Sequence, residues 1–112
     1  MPRDSKLYLE DILECIKNIN EYVSELTFNS FIKDGKTIDA VIRNLEIIGE
    51  ASRNIPHEIR DEHPEIKWRG IICLRSILIH VYYSLTLKII WDIIQNELPV
   101  LYEQIKQVLV KK

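Results

Sequence analysis

One segment in the second half of the chain combines residues that could bind phosphate and move protons. Arg75 is a permanent cation whose planar guanidinium suits a phosphate group. His80 can accept or donate a proton near neutral pH. Ser76 adds a hydroxyl one turn before His80, and Tyr82 adds a phenol. This set predicts acid–base chemistry at a phosphate, without a metal.

These residues share one face of a helix predicted over residues 68–83. Helical spacing gathers the other face into an apolar arc expected in the core: Ile71, Cys73, Leu74, Ile77, Leu78 and Val81. The functional face also carries Tyr83 and two isoleucines, Ile72 and Ile79, between its polar groups. It is therefore neither an ordinary solvated face nor a core face.

Two interpretations fit this mixed face. It could pack on a neighbouring helix, with its polar groups satisfying one another. Alternatively, it is a partly desolvated site at a subunit interface, where the isoleucines supply the apolar contact. Arg75 and His80 lie about 140° apart on an ideal helix and converge poorly. Two copies facing each other across a two-fold axis would solve this, so the second interpretation predicts a homodimer.

The elements that position this face are all predicted to be helical. The apolar periodicity indicates helices near residues 4–26, 37–55, 68–83 and 87–95, and a fifth opened by Pro99. Asp4 or Ser5 should cap the first helix, and Ser84 or Thr86 the fourth. Short connections favour an all-α up-and-down bundle of four to five helices, in one domain spanning residues 1–112.

Asn44 is the exception on the second predicted helix, whose apolar half includes Val41, Ile47 and Ile48. The amide falls in the middle of that half, and a buried amide needs hydrogen-bond partners. It could order a neighbouring group of the site, as a supporting residue. It could also simply bond a backbone carbonyl of an adjacent helix.

Composition excludes several classes of protein. A net charge of −2 excludes a broad basic coat for nucleic acid but allows a small local site. No signal segment or membrane span is expected. Cys15 and Cys73 have no metal spacing and are predicted to be reduced core thiols of a cytoplasmic protein. His57 and His63 flank a connector and are expected in solvent, so no metal or other cofactor is predicted.

The chain resembles a known family at three places. Residues 75–82, Arg-Ser-Ile-Leu-Ile-His-Val-Tyr, match the Arg-x-x-x-x-His-x-Tyr motif of the HEPN superfamily. Residues 39–51 resemble the second-helix signature of its HepT-like branch, and residues 91–94 and 98–101 are also similar to that branch. One departure is Ser76, because Asn, Asp or His commonly follows the motif arginine. Serine would orient the imidazole of His80 less firmly.

The resemblance implies a metal-independent endoribonuclease, the toxin of a toxin–antitoxin pair, with Arg75 and His80 as catalytic residues. Its antitoxin would be an MntA-type nucleotidyltransferase that silences the toxin by transferring AMP to Tyr82. The implied partners are a second copy of the chain, this antitoxin and RNA. The alternative is a non-catalytic helical partner of a minimal nucleotidyltransferase that binds a nucleotide or small molecule.

Overall fold

The computed structural model describes residues 1–80 and 84–110, and of Ser84 the backbone alone. In these ranges every regular element is helical, which confirms the all-α prediction. The elements are α1 Arg3–Val23, α2 Phe28–Phe31, α3 Gly35–Asn54, α4 His57–Glu62, α5 Trp68–Ile72, α6 Leu74–Leu78, α7 Ser84–Asp92, a π-helical turn Ile93–Glu97 and α8 Leu98–Val110.

The long helices α1 and α3 pack along each other, and α8 packs against α1. Their apolar stripes form the centre of the core, as the helical spacing predicts. The fully buried side chains on α1 and α3 include Leu9, Ile12, Ile16, Ile19, Val41, Leu45 and Ile48. Ile47 was predicted on the same stripe, but its side chain is 38% exposed, so that prediction is wrong. Ile47 lies at the margin of the stripe, where α3 borders a surface cleft.

The helix starts differ from the predicted caps. Pro2 is the N-cap of α1, and its carbonyl oxygen accepts the first helical hydrogen bond, while Ser5 is buried inside the helix. At α3 the N-cap is Asp34. The carboxylate of Asp34 accepts hydrogen bonds from the Thr37 hydroxyl (2.7 Å) and backbone N–H (3.1 Å). These two bonds lower the pKa of Asp34, because they favour its charged form.

A one-turn helix, α2, occupies the segment where the sequence shows no helical pattern. Thr27 and Ser30 form a reciprocal capping box at its start. Phe31 at its end is fully buried and lies 5.1 Å from the ring of Trp91 on α7, centroid to centroid. Local capping and this aromatic contact therefore stabilise a helix that is too short to show periodicity.

The helix predicted over residues 68–83 is not continuous, and that prediction is wrong. Cys73 separates α5 from α6, with backbone angles (φ −87°, ψ 5°) outside the α-helical region. The Ser76 N–H (3.1 Å) and hydroxyl (2.8 Å) both donate to the Cys73 carbonyl oxygen. A serine hydroxyl that competes for backbone groups in this way favours a turn over a regular helix. Cys73 is consequently exposed, and its predicted place in the core is wrong.

The π-helical turn joins α7 directly to α8, so the last two predicted helices follow each other without a break. Helix α7 starts at Ser84 and Thr86 lies buried inside it, so Thr86 does not cap the helix. Pro99 occupies the first turn of α8, as predicted. Proline has no N–H to donate to the carbonyl of Gln95, and its ring crowds that carbonyl. The wider π-helical turn directly before Pro99 accommodates this defect without ending the helix.

The connector between α3 and α5 is more ordered than predicted. It contains the short helix α4, and His57 is exposed. His63 is only 8% exposed, so its predicted solvation is wrong. The indole N–H of Trp68 donates to the His63 carbonyl oxygen (3.1 Å), and the Gln104 amide of α8 donates to that of Glu65 (3.1 Å). These bonds fix the start of α5 against the bundle.

Helices α3 and α5 lie close together at Gly49. A Cβ atom at this position would lie 3.2 Å from the Ile71 carbonyl oxygen and 3.9 Å from that of Ile72. Glycine therefore lets the end of α5 and the start of α6 lie against α3. At Gly70, in contrast, a Cβ atom would have nothing within 4 Å.

This contrast predicts different outcomes for two alanine substitutions. Gly70→Ala should raise the melting temperature, because alanine favours a helix by up to about 1 kcal/mol over glycine. Gly49→Ala gains the same propensity but pushes against backbone, so its melting temperature should lie below that of Gly70→Ala. Thermal unfolding followed by circular dichroism measures both. Equal stabilisation of the two variants would show that the close approach imposes no constraint.

Candidate functional site

Arg75 and His80 occupy a short, exposed part of the fold. Arg75 is the second residue of α6, and His80 is the second residue after that helix ends. The His80 N–H donates to the Ile77 carbonyl oxygen (3.1 Å), which continues the chain as a turn. Both side chains are exposed. Since α6 stops before His80, the angle of about 140° predicted from an ideal helix does not describe the two residues.

The structure describes the contacts of Ser76 but does not describe Tyr82. The hydroxyl of Ser76 donates to the Cys73 carbonyl, so the contact found for it fixes the turn between α5 and α6. Its orienting role toward His80 stays a prediction. Tyr82 lies outside the described residues, as do Val81 and Tyr83. The role of Tyr82 as a modified residue therefore also stays a prediction.

Asn44 connects the two central helices. Its side chain is 7% exposed, and its amide N–H donates to the Ala40 carbonyl oxygen one turn earlier (2.8 Å). Its amide oxygen accepts a hydrogen bond from the Asn18 side chain on α1 (3.3 Å). The partners are therefore an adjacent side chain and a carbonyl of its own helix. Asn44 fixes the position of α3, the helix against which α5 and α6 pack.

A cleft of about 340 Å³ opens between α3 and the α5–α6 turn, beside Arg75. Its α3 side is lined by four charged residues, Arg43, Glu46, Glu50 and Arg53, together with Leu45, Ile47 and Gly49. Ile72 and Leu74 line it from the other side with Arg75. The helical pattern of the sequence alone does not connect these α3 charges with Arg75. A possible signal was their spacing, because residues three and four apart share a helix face.

Exposed apolar side chains also occur near Arg75 and His80. Ile79 is 68% exposed and Leu85 is 72% exposed, while Ile72 is half-buried. The prediction that Ile72 and Ile79 lie off the core is confirmed. Ile79 directly precedes His80 in the chain, so an exposed aliphatic side chain borders one of the candidate site residues.

The two cysteines are in different environments. Cys15 is buried in α1, as predicted, and burial together with the nearby Asp11 and Glu14 carboxylates raises the pKa of its thiol from 9.0 to about 11. Cys73 is exposed, two residues before Arg75. In the part of the chain that the structure describes, no three His, Cys, Asp or Glu residues are grouped to hold a metal ion. No helix in that part is long and apolar enough to cross a membrane.

The family assignment comes from the sequence as a whole. The model of the family described as ribonuclease HepT-like matches residues 12–108, which include Arg75, His80 and Tyr82. The chain belongs to the ribonuclease HepT-like family. The matched residues run from the middle of α1 to the last turn of α8, so the match covers most of this HepT-like chain.

Curated relatives of this HepT-like chain agree with the assignment. A protein of Methanocaldococcus jannaschii named "Putative RNase MJ0127" is 42% identical over 97% of this chain and 91% of its own length. "Probable ribonuclease HepT" of Thermococcus cleftensis is 46% identical over 88% of this chain and 90% of its own length. "Putative RNase TTE0752" of Caldanaerobacter subterraneus is 41% identical over 94% of each chain. No solved structure gives a significant match.

Proposed function

We propose that this HepT-like protein is a metal-independent endoribonuclease that acts on RNA in the cytoplasm at a site shared by two copies of the chain. The observation that carries the proposal is the exposure of Arg75 and His80 beside uncovered apolar residues, within a family described as ribonucleases. RNA carries its own nucleophile, the ribose 2′-hydroxyl. A cation and an imidazole are therefore enough to catalyse cleavage of its phosphodiester bond.

In the proposed reaction, His80 takes the proton of the ribose 2′-hydroxyl. The 2′-oxygen then forms a bond to the adjacent phosphorus, and Arg75 stabilises the negative charge that develops on the phosphorane oxygens. The bond from phosphorus to the 5′-oxygen breaks, and the protonated imidazole returns its proton to that leaving oxygen. The products are a 2′,3′-cyclic phosphate and a 5′-hydroxyl end, with no net change in protons.

The proposed homodimer would cover apolar side chains that a single chain leaves exposed. Ile79 and Leu85 are mostly exposed, which is costly for side chains of this type and favours their burial against a partner. In the proposed dimer a two-fold axis brings the α6 faces together, so that Arg75 of one protomer serves with His80 of the other. Ser76 supports the site by fixing the turn before Arg75, and Asn44 supports it indirectly by fixing α3.

We expect His80→Ala and Arg75→Ala to reduce RNA cleavage by at least about 100-fold, because general acid–base catalysis and charge stabilisation each contribute on that scale. Both side chains are exposed, so the fold should be unaffected. The matched control is His57→Ala, which removes another exposed histidine and should cleave at the wild-type rate.

Cleavage of labelled RNA, followed on gels with and without a chelator, measures these effects. Chelator should leave the rate unchanged, and the product should carry a cyclic phosphate. A rate lost with chelator and restored by magnesium would contradict the metal-free mechanism. A wild-type chain that cuts no RNA at all would favour the non-catalytic nucleotide-binding alternative.

The proposal includes a toxin role, controlled by a partner that modifies Tyr82. An MntA-type nucleotidyltransferase would position ATP for attack by the Tyr82 phenolic oxygen on the α-phosphorus. The bond between the α- and β-phosphates breaks, pyrophosphate leaves, and the phenolic proton passes to solvent. The added AMP carries a negatively charged phosphate, and Arg75 belongs to the same sequence motif as Tyr82. It would inhibit by occupying the place of an RNA phosphate as well as by its bulk.

Two tyrosine variants test this control. After incubation with the cognate nucleotidyltransferase and ATP, Tyr83→Phe should be modified and silenced like the wild type, whereas Tyr82→Phe should remain active and unmodified. Peptide mass spectrometry locates the AMP group, and RNA cleavage reports the silencing. AMP found on Tyr83 alone, or a silenced Tyr82→Phe protein, would overturn the assignment.

A further inference from the structure

The cleft between α3 and the α5–α6 turn contains charged residues of α3 that have no role in the proposed reaction. Three arginines and two glutamates line it, which gives a local charge of +1 in a chain whose net charge is −2. Arg53 lies 3.9 Å from Glu50, and both side chains are more than half exposed, so their pairing is weak. Arg43 and Arg75, in the described part of the chain, make no ion pair.

Arg43 and Arg75 therefore form the cationic part of this cleft. Arg43 reaches it from α3 and Arg75 from α6, and Gly49 lets α5, which leads into α6, lie close to α3. Ile47 and Ile72 line the same cleft and add apolar surface beside the two arginines. A guanidinium without a carboxylate partner is well suited to bind a phosphate diester.

We propose that Arg43 binds a phosphate of single-stranded RNA adjacent to the one that is cleaved. The inference rests on the proposed function, because it takes Arg75 as the residue at the reacting phosphate. Helix α3 then forms the second wall of the RNA site, and a strand held at two phosphates is positioned for attack. Arg43 is a binding residue and makes no contact with the reacting atoms.

The test measures RNA binding separately from cleavage. Single-stranded RNA oligonucleotides with a fluorescent label are titrated with His80→Ala protein, which does not cleave them, and anisotropy gives Kd at several salt concentrations. Adding Arg43→Ala should weaken binding roughly tenfold at low salt, equally for uridine and adenosine oligonucleotides. It should also reduce the slope of log K against log salt by about 0.7, the value for one phosphate contact on a single strand.

Two matched variants are made in the same His80→Ala background. Arg69→Ala removes an exposed arginine of α5 that does not line the cleft, and it should leave both Kd and the slope unchanged. Arg43→Lys keeps the charge, so it should keep the slope. An unchanged Kd and slope for Arg43→Ala would overturn the inference, and so would the absence of any RNA binding.

Further experimental outcomes distinguish this inference from its alternatives. If Arg43→Ala converts a dimer to a monomer by light scattering, Arg43 serves the subunit interface, and the inference is overturned. If the wild-type chain does not cleave RNA but Arg43→Ala still lowers affinity and slope, the phosphate contact stands and the ribonuclease proposal fails. If the wild-type chain cleaves RNA and Arg43→Ala binds normally, the ribonuclease proposal stands alone.

Discussion

The geometry of the candidate site depends on the contact between the backbone of α3 at Gly49 and the carbonyl groups at the end of α5. A side chain at this position would meet the Ile71 carbonyl oxygen at 3.2 Å. Without a side chain, α5 lies against α3, and the turn at Cys73 follows within two residues. The direction of α6, and with it the position of Arg75, is set by this contact and by the hydrogen bonds of Ser76.

The surface around this contact is distinctive because its charges are only partly neutralised. Arg75 and Arg43 border the same cleft, while Glu46 and Glu50 keep its total charge low. The chain has a net negative charge. Its proposed affinity for RNA would therefore depend on a few arginines at the site and not on the overall charge. Ile79 and Leu85 are exposed, and the proposed second copy would cover them.

The core of the fold could be predicted from the sequence, because α1 and α3 are long and their apolar residues recur at helical spacing. The break at Cys73 could not, since it depends on one serine hydroxyl competing for a backbone carbonyl within an apolar run. The burial of His63 was also missed, because it follows from a Trp68 indole that donates to the His63 carbonyl. Arg75 and His80 were proposed as site residues from residue type and spacing, whereas the proposal for Arg43 required the packing of α3 on α5.

The most direct test of the shared site is to restore activity by mixing two inactive chains. Arg75→Ala and His80→Ala chains with different tags are co-expressed, and the heterodimer is purified at about twice the chain mass of 13.3 kDa. If Arg75 and His80 act across the two-fold axis, the heterodimer contains one intact site and should cleave RNA at about half the wild-type rate. Each homodimer should be inactive. A heterodimer as inactive as both homodimers would contradict a site shared between two chains.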